Sequence, residues 1–585
     1  MIESLMAGRN RKAVPPVSGS GALLVLVDSG GAYHSRSIVP ETVVNSLLHW
    51  GLPFRWHDLH SQPLSPAVLD GCAGVVLAQE GLGTVLAPAG AGLLAEAVEH
   101  GVGLVSFDWD LRRYTGAYLK IFGFQGLDRK PFATNVFHVP RSDHFINRWQ
   151  PPGYLEAGRM VTALAVKQWG TQTVPLVEGL LGKEQLVYIR HLVPENAFVP
   201  GHYPVAFAAH LGQGRAVQFT VNPRLWRRGA VGHLGGLDDL FWRAILWAVR
   251  KPFLANPVPP FVTFSFDDCS GAHEFQYLEI LSRKGFTPLV GLFLDDVRLQ
   301  HLPLLRALQT GEKILINSHG GRSYYDRIYY EFGIGEYPPE ALKERFEWED
   351  EFYRRAGLQH SCTVRGHFGE IGVNSLPFLK QRGRTLISTP ILIGEHKADQ
   401  FSTDGYWPYQ SLRCYYEPLP DDPDFYTFGA FDVRHLVDFL TGATTWLRES
   451  PTNNVEQAAE QAAAQLRLGL NNGFYGEILT HESKVAVLTL EEWEKILDRT
   501  LEKMAGYRLI FAQHDAIGEY LRSREGVWFR SVERQGSRVS YTVEGSAARP
   551  LHLTVYDAAA GEVDEKIVEL PVFTVPTRVE GEWLG

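Results

Sequence analysis

The first 250 residues alternate between short apolar runs and longer amphipathic segments. Apolar runs occupy residues 23–27, 75–78 and 104–107, and each is too short to form a typical helix. Between them, residues 40–50 and 91–100 carry apolar side chains at helical spacing, and each segment is followed by a glycine suited to end a helix. Strands that alternate with helices predict a parallel, doubly wound sheet and therefore an α/β fold.

Polar residues follow the predicted strands of this sheet. Asp28, Gln79 and Asp108 each come directly after an apolar run. Ligands of doubly wound sheets bind at the carboxyl ends of the strands, so we expect these side chains to line a crevice. The glycines after Asp28 do not form G-x-G-x-x-G, which excludes the dinucleotide-binding fingerprint.

These strand ends, together with a glycine turn and strand over residues 212–219, resemble the class I glutamine amidotransferase-like domains, which have a flavodoxin-like fold. That family places a nucleophilic Cys in a tight turn after a strand, whereas Cys72 precedes its predicted strand. A thiolate needs the exposed, activated turn to react. The resemblance therefore implies a non-catalytic domain, with a structural role and glycan binding both left open. Residues 131–188 are rich in β-formers and predict a small β insertion.

Hydrophobic alternation with a period of two begins near residue 524. Four short segments of this kind, separated by Gly, Asp and Pro, predict a small β-sandwich that could serve as an accessory or dimer-contact module. Pro576 in the last segment predicts an edge strand. Four prolines within residues 250–260 indicate a linker. The predicted organisation is a flexible tail (1–20), the flavodoxin-like domain (21–250), the linker (251–260), a central α/β domain (261–523) and the β-sandwich (524–585).

The central segment places acidic and histidine residues at the ends of predicted strands. The apolar run 262–266 stops at Asp267 and Asp268, and the run 313–317 leads to His319. Two later runs lead to Arg365-Gly366-His367 and to His481. In a parallel sheet or barrel these ends share one edge. Thr489 and Glu492 then predict a capped helix whose buried side begins at Trp493.

Each motif also has a structural interpretation. Two adjacent carboxylates repel each other in a low-dielectric cleft unless a metal or a proton separates their roles, which favours a site. An Asp-rich turn would have the same two residues without any function. His319 alone is compatible with a hydrogen-bonded structural residue. The joint occurrence of the motifs at strand ends favours a site.

The ordered motifs Asp267-Asp268, Asn317-Ser318-His319, Arg365 to Gly369 and Leu479 to Glu482 resemble those of the NodB-homology polysaccharide deacetylases, and the resemblance covers about residues 260–522. The resemblance implies a distorted (β/α) barrel over residues 261–523 and hydrolysis of an N-acetyl group on a sugar. It implies Asp267 as the general base, His481 as the general acid and Arg365 as the residue that orients the base. It also implies Asp268 and His319 as ligands of a divalent metal ion, with Zn²⁺ the first expectation and Co²⁺ or Ni²⁺ as alternatives.

The third metal ligand is open. The family has a second His four residues after the first, and this chain has Ser323 there. Catalytic zinc is usually held by three protein ligands, so another residue must supply one. His367 is the first candidate because it also lies at a strand end, and His273 is the second.

Aromatic residues near these motifs are candidates for sugar binding. Tyr406 and Trp407 lie in a turn-rich stretch, and Tyr324 follows His319. Packing on the barrel and stacking against a substrate sugar are equally compatible with their positions.

Composition narrows the class of protein. The chain has 585 residues, a formal net charge of -10 and a pI near 6.1, which does not fit a general nucleic-acid binder. Four widely spaced cysteines form neither a CxxC pair nor a disulfide framework. No apolar run reaches transmembrane length and no signal peptide is visible, so a cytoplasmic protein is expected, although a missed start could hide an export signal.

The resemblance carried by these motifs implies a metal-dependent hydrolase that removes an N-acetyl group from an amino sugar or polysaccharide. Two alternatives remain at this point: an amidase for a small non-sugar amide, and a catalytically inactive glycan-binding protein. The expected partner is an N-acetylated sugar, with no nucleic acid and no membrane span, and a homo-oligomer is an open expectation.

Overall fold

The computed structural model of this chain describes residues 17–30, 43–128, 130–150, 153–180, 202–226, 238–321, 328–329, 336–367, 371–388, 416–419, 422–429, 438–440, 443–444, 453–559 and 562–585. These residues form two compact units. The first contains the described residues up to Pro257 together with Gly526–Gly585, and the second contains the described residues between Val258 and Glu525.

The amino-terminal part of the first unit mixes strands and helices. Its strands are β1 (Leu23–Val27), β2 (Phe54–Asp58), β3 (Gly74–Leu77), β4 (Gly103–Ser106), β5 (Gln125–Leu127), β6 (Phe132–Val139), β7 (Gly153–Ala163), β8 (Val166–Gln168), β9 (Thr173–Leu180), β10 (His202–Leu211), β11 (Gly214–Phe219) and β12 (Phe253–Ala255). Its helices are α1 (Asn45–His49), α2 (Pro66–Leu69), α3 (Leu82–Val85), α4 (Ala87–Glu99), α5 (Gly116–Phe122) and α6 (Asp238–Ala248).

The main sheet of this unit has nine strands in the order β2-β1-β3-β4-β11-β10-β9-β6-β7. The first five pair in parallel, and the others continue the sheet in antiparallel fashion. The parallel part has the order 2-1-3-4-5 that is typical of flavodoxin-type sheets. The β-rich segment predicted as an insertion supplies β6, β7 and β9, which extend this sheet. The glycine predicted to follow the second helix does so, because Gly101 has φ +96° and its amide bonds to Val98.

The second unit carries its own set of elements. Its strands are β13 (Phe261–Cys269), β14 (Leu289–Phe293), β15 (Leu315–Gly320), β16 (Thr363–Val364), β17 (Leu386–Ile387), β18 (Tyr416–Pro418), β19 (Tyr426–Phe428), β20 (Gly476–His481) and β21 (Ile510–Phe511). Its helices are α7 (Gln276–Arg283), α8 (Leu302–Thr310), α9 (Pro339–Ala356), α10 (Leu376–Gln381), α11 (Val455–Asn471), α12 (Glu482–Val485), α13 (Leu490–Lys503) and α14 (His514–Glu525).

The strands of the second unit form two sheets. One is parallel throughout, in the order β15-β14-β13-β20, with β21 also paired to β13. The other has the order β16-β17-β19-β18, in which β18 is antiparallel. The family resemblance implied a distorted (β/α) barrel. Among the strands that the structure describes, the two sheets remain separate and no barrel closes.

Strand β13 lies at the centre of the second unit's core. Phe264 and Phe266 are fully buried and stack with ring centroids 4.8 Å apart. Trp493 on α13 packs against Phe264 at 5.9 Å. The capping box predicted for this helix is present, because Thr489 and Glu492 exchange hydrogen bonds between side chain and backbone. The capping box fixes the residue at which α13 begins. The apolar face of α13 packs against β13.

The carboxyl-terminal residues add five strands to the first unit: β22 (Val527–Gln535), β23 (Arg538–Ala547), β24 (Leu551–Ala559), β25 (Glu562–Leu570) and β26 (Phe573–Leu584). They form a sheet of β22-β23-β26, and a second sheet in which β24 and β25 are joined by β12. β12 comes from the segment predicted as a linker, so part of that segment is a strand. Strand β26, with Pro576, lies at a sheet edge as predicted. No helix among the described residues has the length and apolarity needed to cross a membrane.

Replacing Phe264 with Ala tests the importance of the β13 core. The ring is fully buried and surrounded by aromatic neighbours, so its removal leaves a cavity, and we expect the free energy of unfolding to fall by about 3–5 kcal/mol. Equilibrium urea unfolding of the second unit measures the change. Leu299→Ala is the matched control, because Leu299 is 85% exposed and the expected change is within about 0.5 kcal/mol. Equal effects of the two substitutions would contradict this account of the core.

Candidate metal centre and catalytic groups

Four parallel strands of the second unit end at one edge of their sheet. β13 ends just after Asp267 and Asp268, β15 ends just after His319, and β20 ends at His481. Asp267 and His481 are register partners on neighbouring strands. The parallel pairing thus brings together side chains that are more than 200 residues apart in the sequence.

A bulge in β13 gives the two aspartates their positions. In the register between β13 and β14, Asp267 and Asp268 together stand opposite the single residue Gly291. Asp268 has φ +59°, a left-handed conformation that costs about 1–3 kcal/mol for a residue other than glycine. A regular strand would direct adjacent side chains to opposite faces. With the bulge, both carboxylates lie near His319, at 4.0 Å from its Nδ1 for Asp267 and 3.3 Å from its Nε2 for Asp268.

Asp268, His319 and His367 form a candidate metal site. Their ligand atoms all lie within 4.8 Å of one another. Asp268 Oδ1 is 3.3 Å from His319 Nε2 and 3.4 Å from His367 Nε2. Tetrahedral coordination with bonds of about 2.0–2.1 Å separates ligand atoms by about 3.3 Å, so these spacings fit a Zn²⁺-type ion. Both imidazoles are buried, which excludes most solvent from the site.

The third ligand candidate reaches the site through Asn317 on β15. The Asn317 side chain donates to the carbonyl of Arg365 (2.7 Å) and accepts from its amide (3.0 Å). This clamp holds the segment after β16 beside the end of β15, and His367 is two residues further along. His319 Nδ1 lies 3.4 Å from the same Arg365 carbonyl, an arrangement that keeps Nε2 available as a ligand.

Gly291 leaves the space that the His319 side chain occupies. A Cβ at this position would lie 3.0 Å from both Cβ and Cγ of His319. A residue with a Cβ would require His319 to shift by a few tenths of an ångström. The glycine of β14 is therefore part of what positions the site.

Asp268 is negatively charged in this environment. Burial alone would raise the pKa of its carboxyl group, but the hydrogen bond and positive charge of His319, with the charges of His367 and His481, hold that pKa below its usual range. An ionised carboxylate is the form that binds a metal.

Arg365 is a buried cation shared by two carboxylates. Its Nε lies 3.3 Å from Asp267 Oδ1, and its Nη1 donates to both Glu477 Oε1 and Ser265 Oγ. Burial would lower the pKa of the guanidinium, but the charges of Asp267 and Glu477 raise it, so it stays charged. The orienting role expected for Arg365 matches its contact with Asp267.

Glu477 is a further member of the buried network of ion pairs and hydrogen bonds around Arg365. It is fully buried, it also accepts from Ser265 Oγ, and Tyr475 donates to its Oε2 at 3.2 Å. Burial favours the neutral acid, but the positive charges of Arg365 and His514 hold the pKa of Glu477 well below its usual range. Glu477 therefore acts as a charged anchor for the guanidinium that contacts Asp267.

His481 is held by a buried carboxylate that the sequence analysis missed. Asp438 Oδ2 lies 2.8 Å from His481 Nδ1 and accepts from the His481 amide at 3.0 Å, while Thr480 donates to Oδ1. Burial lowers the pKa of His481, but the hydrogen bond to Asp438 and the charges of Asp267, Asp438 and Asp268 together raise it to about 9. The imidazole is thus protonated at neutral pH.

Glu482 fixes the loop that follows the two aspartates. It accepts from the amides of Ser270 (2.6 Å) and Gly271 (2.9 Å) and from the hydroxyl of Tyr277 (2.7 Å). The side chain next to His481 therefore ties the end of β20 to the end of β13.

Among the described residues, one further predicted ligand can be compared with the site. His273, the alternative third ligand, is outside the converging group, and its Nε2 lies 3.3 Å from the carbonyl of Val485. Ser323, Tyr324, Tyr406 and Trp407 lie outside the described residues.

Sequence signals existed for the missed residues. Asp438 interrupts the apolar run 436–440, and Glu477 interrupts the apolar start of β20. A charged residue within a buried run requires a partner, which marks both positions as members of a polar network. The partners cannot be named from the sequence because they are distant in the chain.

The polar residues predicted to line a crevice in the first unit form hydrogen bonds within that unit. Gln79 exchanges hydrogen bonds with the backbone of Asp28, and Asp108 accepts from the amides of Gly81 and Gly83 and from Tyr114. Burial raises the pKa of Asp108 to about 6, against these hydrogen bonds. Cys72 is buried before β3, and burial raises its pKa to about 11, which favours the unreactive thiol.

Comparison with known proteins gives matches only among solved structures. No protein-family model and no curated protein sequence matches the chain. A family 4 carbohydrate esterase from Streptomyces lividans in complex with acetate shares 12% identity, with a TM-score of 0.26, over 44% of this chain and 93% of that one. A chitin deacetylase from Colletotrichum lindemuthianum shares 14% identity, with a TM-score of 0.27, over 45% of this chain and 89% of that one. At such TM-scores the functional argument rests on the geometry of the site itself.

Substituting Asp438 with Asn tests how His481 is held protonated. In metal-free protein we expect His481 to titrate near pH 9, and Asp438→Asn to bring its pKa down toward the ordinary 6.5, because a charged acceptor is lost. The stability that protonation contributes is present below about pH 6.5 and is lost as pH rises through about 9, and the variant should lose less over that interval. NMR titration of the imidazole, assigned with His481→Ala, measures the pKa. A wild-type value near 6.5 would contradict the role given to Asp438.

Proposed function

We propose that this chain is a metal-dependent hydrolase that removes an N-acetyl group from an amino sugar or an N-acetylated polysaccharide. The observation that carries the proposal is the convergence of Asp268, His319 and His367, beside Asp267 and His481 on adjacent strands. This set contains ligands for one divalent ion, a carboxylate base and a protonated imidazole.

Asp268, His319 and His367 would hold the metal. When bound, a divalent ion such as Zn²⁺, Co²⁺ or Ni²⁺ polarises a carbonyl oxygen and makes water more acidic. The ionised carboxylate of Asp268 would supply negative charge to this cation.

Asp267 would act as the general base. Its carboxylate would accept a proton from the water that attacks the acetyl carbonyl carbon. Arg365, whose Nε lies 3.3 Å from Asp267 Oδ1, would orient the carboxylate. Because Glu477 anchors the other side of the guanidinium, this orientation is rigid.

His481 would act as the general acid. Asp438 engages Nδ1, which leaves the Nε2 proton for the leaving nitrogen. As the carbon–nitrogen bond breaks, that proton would convert the leaving group into a neutral amine, and the acyl carbon would leave as acetate. The raised pKa of His481 keeps this proton in place at neutral pH.

Removing single ligands tests the metal assignment. We expect Asp268→Ala, His319→Ala and His367→Ala each to lose one equivalent of bound Zn²⁺, because each removes one of three converging donors. Elemental analysis after reconstitution with Zn²⁺, Co²⁺ or Ni²⁺ measures the loss. His273→Ala is the matched control and should retain the wild-type metal content. Retention in His367→Ala with loss in His273→Ala would overturn the ligand assignment.

Removing the base or the acid tests the chemistry. Asp267→Asn and His481→Ala should each lower kcat by about 10²–10⁴-fold with little change in metal content. Acetate release from N-acetylglucosamine oligomers measures turnover, and N-acetylated amides without a sugar serve as parallel substrates. Wild-type turnover by both variants would contradict the proposed function. Metal content that no added ion restores, together with retained glycan binding, would favour the binding-protein alternative.

A further inference from the structure

Two histidines and a glutamate meet on one face of the main sheet in the first unit. His138 on β6 is the register partner of Glu178 on β9, and His202 on β10 is the partner of Leu180. Paired residues of an antiparallel ladder face the same side, as do residues two apart in one strand. The three side chains therefore project from the same face of three adjacent strands.

Their ligand atoms converge on one point. His138 Nδ1 and His202 Nδ1 each lie 2.9 Å from the same oxygen, Glu178 Oε2. The two imidazole centroids are 5.4 Å apart, and all three ligand atoms lie within 4.8 Å of one another. The side chains are 26%, 27% and 36% exposed for His138, Glu178 and His202, so an ion could enter directly from solvent.

We propose that His138, Glu178 and His202 bind a second divalent transition-metal ion, of the kind that prefers imidazole and carboxylate ligands. Two imidazole nitrogens and one carboxylate oxygen are a donor set that suits Zn²⁺ and its neighbours rather than Mg²⁺ or Ca²⁺, which prefer oxygen ligands alone. The ion would replace the hydrogen bonds to Glu178 with coordinate bonds, and ligand atoms now 2.9 Å apart need to separate by only about 0.4 Å to reach tetrahedral spacing.

Such an ion would join strands that are distant in the sequence. His138 and Glu178 are 40 residues apart, and Glu178 and His202 are 24 apart. Coordination would cross-link β6, β9 and β10 in the folded state only, so metal binding would stabilise this part of the first unit. The site is separate from the proposed hydrolase centre and does not depend on it.

Metal stoichiometry in the full-length chain tests the proposal. With Asp268→Ala/His319→Ala in place to remove the first site, chelator-treated protein should bind one equivalent of Zn²⁺ in calorimetric titration. Adding His138→Ala/His202→Ala should abolish that equivalent, and Glu178→Gln should weaken it by about tenfold or more. Zn²⁺ should also raise the melting temperature of the protein with the first site removed, and Glu178→Gln should reduce this increase at the same Zn²⁺ concentration.

Controls separate this site from adventitious binding and from the hydrolase proposal. His100→Ala removes an exposed imidazole outside the triad and should leave the stoichiometry unchanged, and circular dichroism verifies that each variant is folded. If the triad binds metal and the hydrolase centre does not, the wild-type protein takes up one equivalent of Zn²⁺. His138→Ala/His202→Ala then abolishes this uptake. If the protein with the first site removed takes up no Zn²⁺, or takes it up equally with and without the triad, His138, Glu178 and His202 are a hydrogen-bonded group and the proposal is wrong.

Discussion

The candidate site depends on the ion pairs that the buried guanidinium of Arg365 forms with Asp267 and Glu477. Arg365 is 2% exposed and connects Asp267 on β13 with Glu477 on β20, while Asn317 on β15 holds its backbone. Breaking one side of a buried ion pair leaves an uncompensated charge, which costs about 3–5 kcal/mol. Arg365 therefore links strands β13, β15 and β20, the three strands that carry Asp267, His319 and His481.

Charge balance links this anchor to the chemistry. The positive charge of Arg365 balances only part of the negative charge of the nearby carboxylates. Nearby carboxylates also raise the pKa of His481, and the protonated imidazole adds a further positive charge. A divalent cation at Asp268 would supply positive charge where the carboxylates converge. The strained backbone of Asp268 fits this arrangement, because left-handed conformations of non-glycine residues persist where the surrounding structure holds them and cluster at functional sites.

Several features were predictable because they depend on local pattern. The apolar runs identified β1, β3, β4, β13, β15 and β20, whereas the parallel strand β2 was not predicted. The strand-end rule grouped Asp267, Asp268, His319 and His481 at one edge. The capping box of α13 and the edge position of β26 followed from Thr489, Glu492 and Pro576. A distorted (β/α) barrel was also expected, but the described strands of the second unit form two sheets. Strand pairing between distant segments is not encoded in their periodicity.

The amino-acid sequence by itself determined which residue types stand at the ends of which strands, since burial and alternation leave a direct record in the order of side chains. Only the tertiary structure decided which of them meet. It placed His367 rather than His273 beside Asp268, through the clamp of Asn317 on Arg365. It also supplied the bulge at Asp268 and the partners Asp438 and Glu477. These contacts join segments tens to hundreds of residues apart, and their geometry depends on the register and packing of whole sheets rather than on any local pattern.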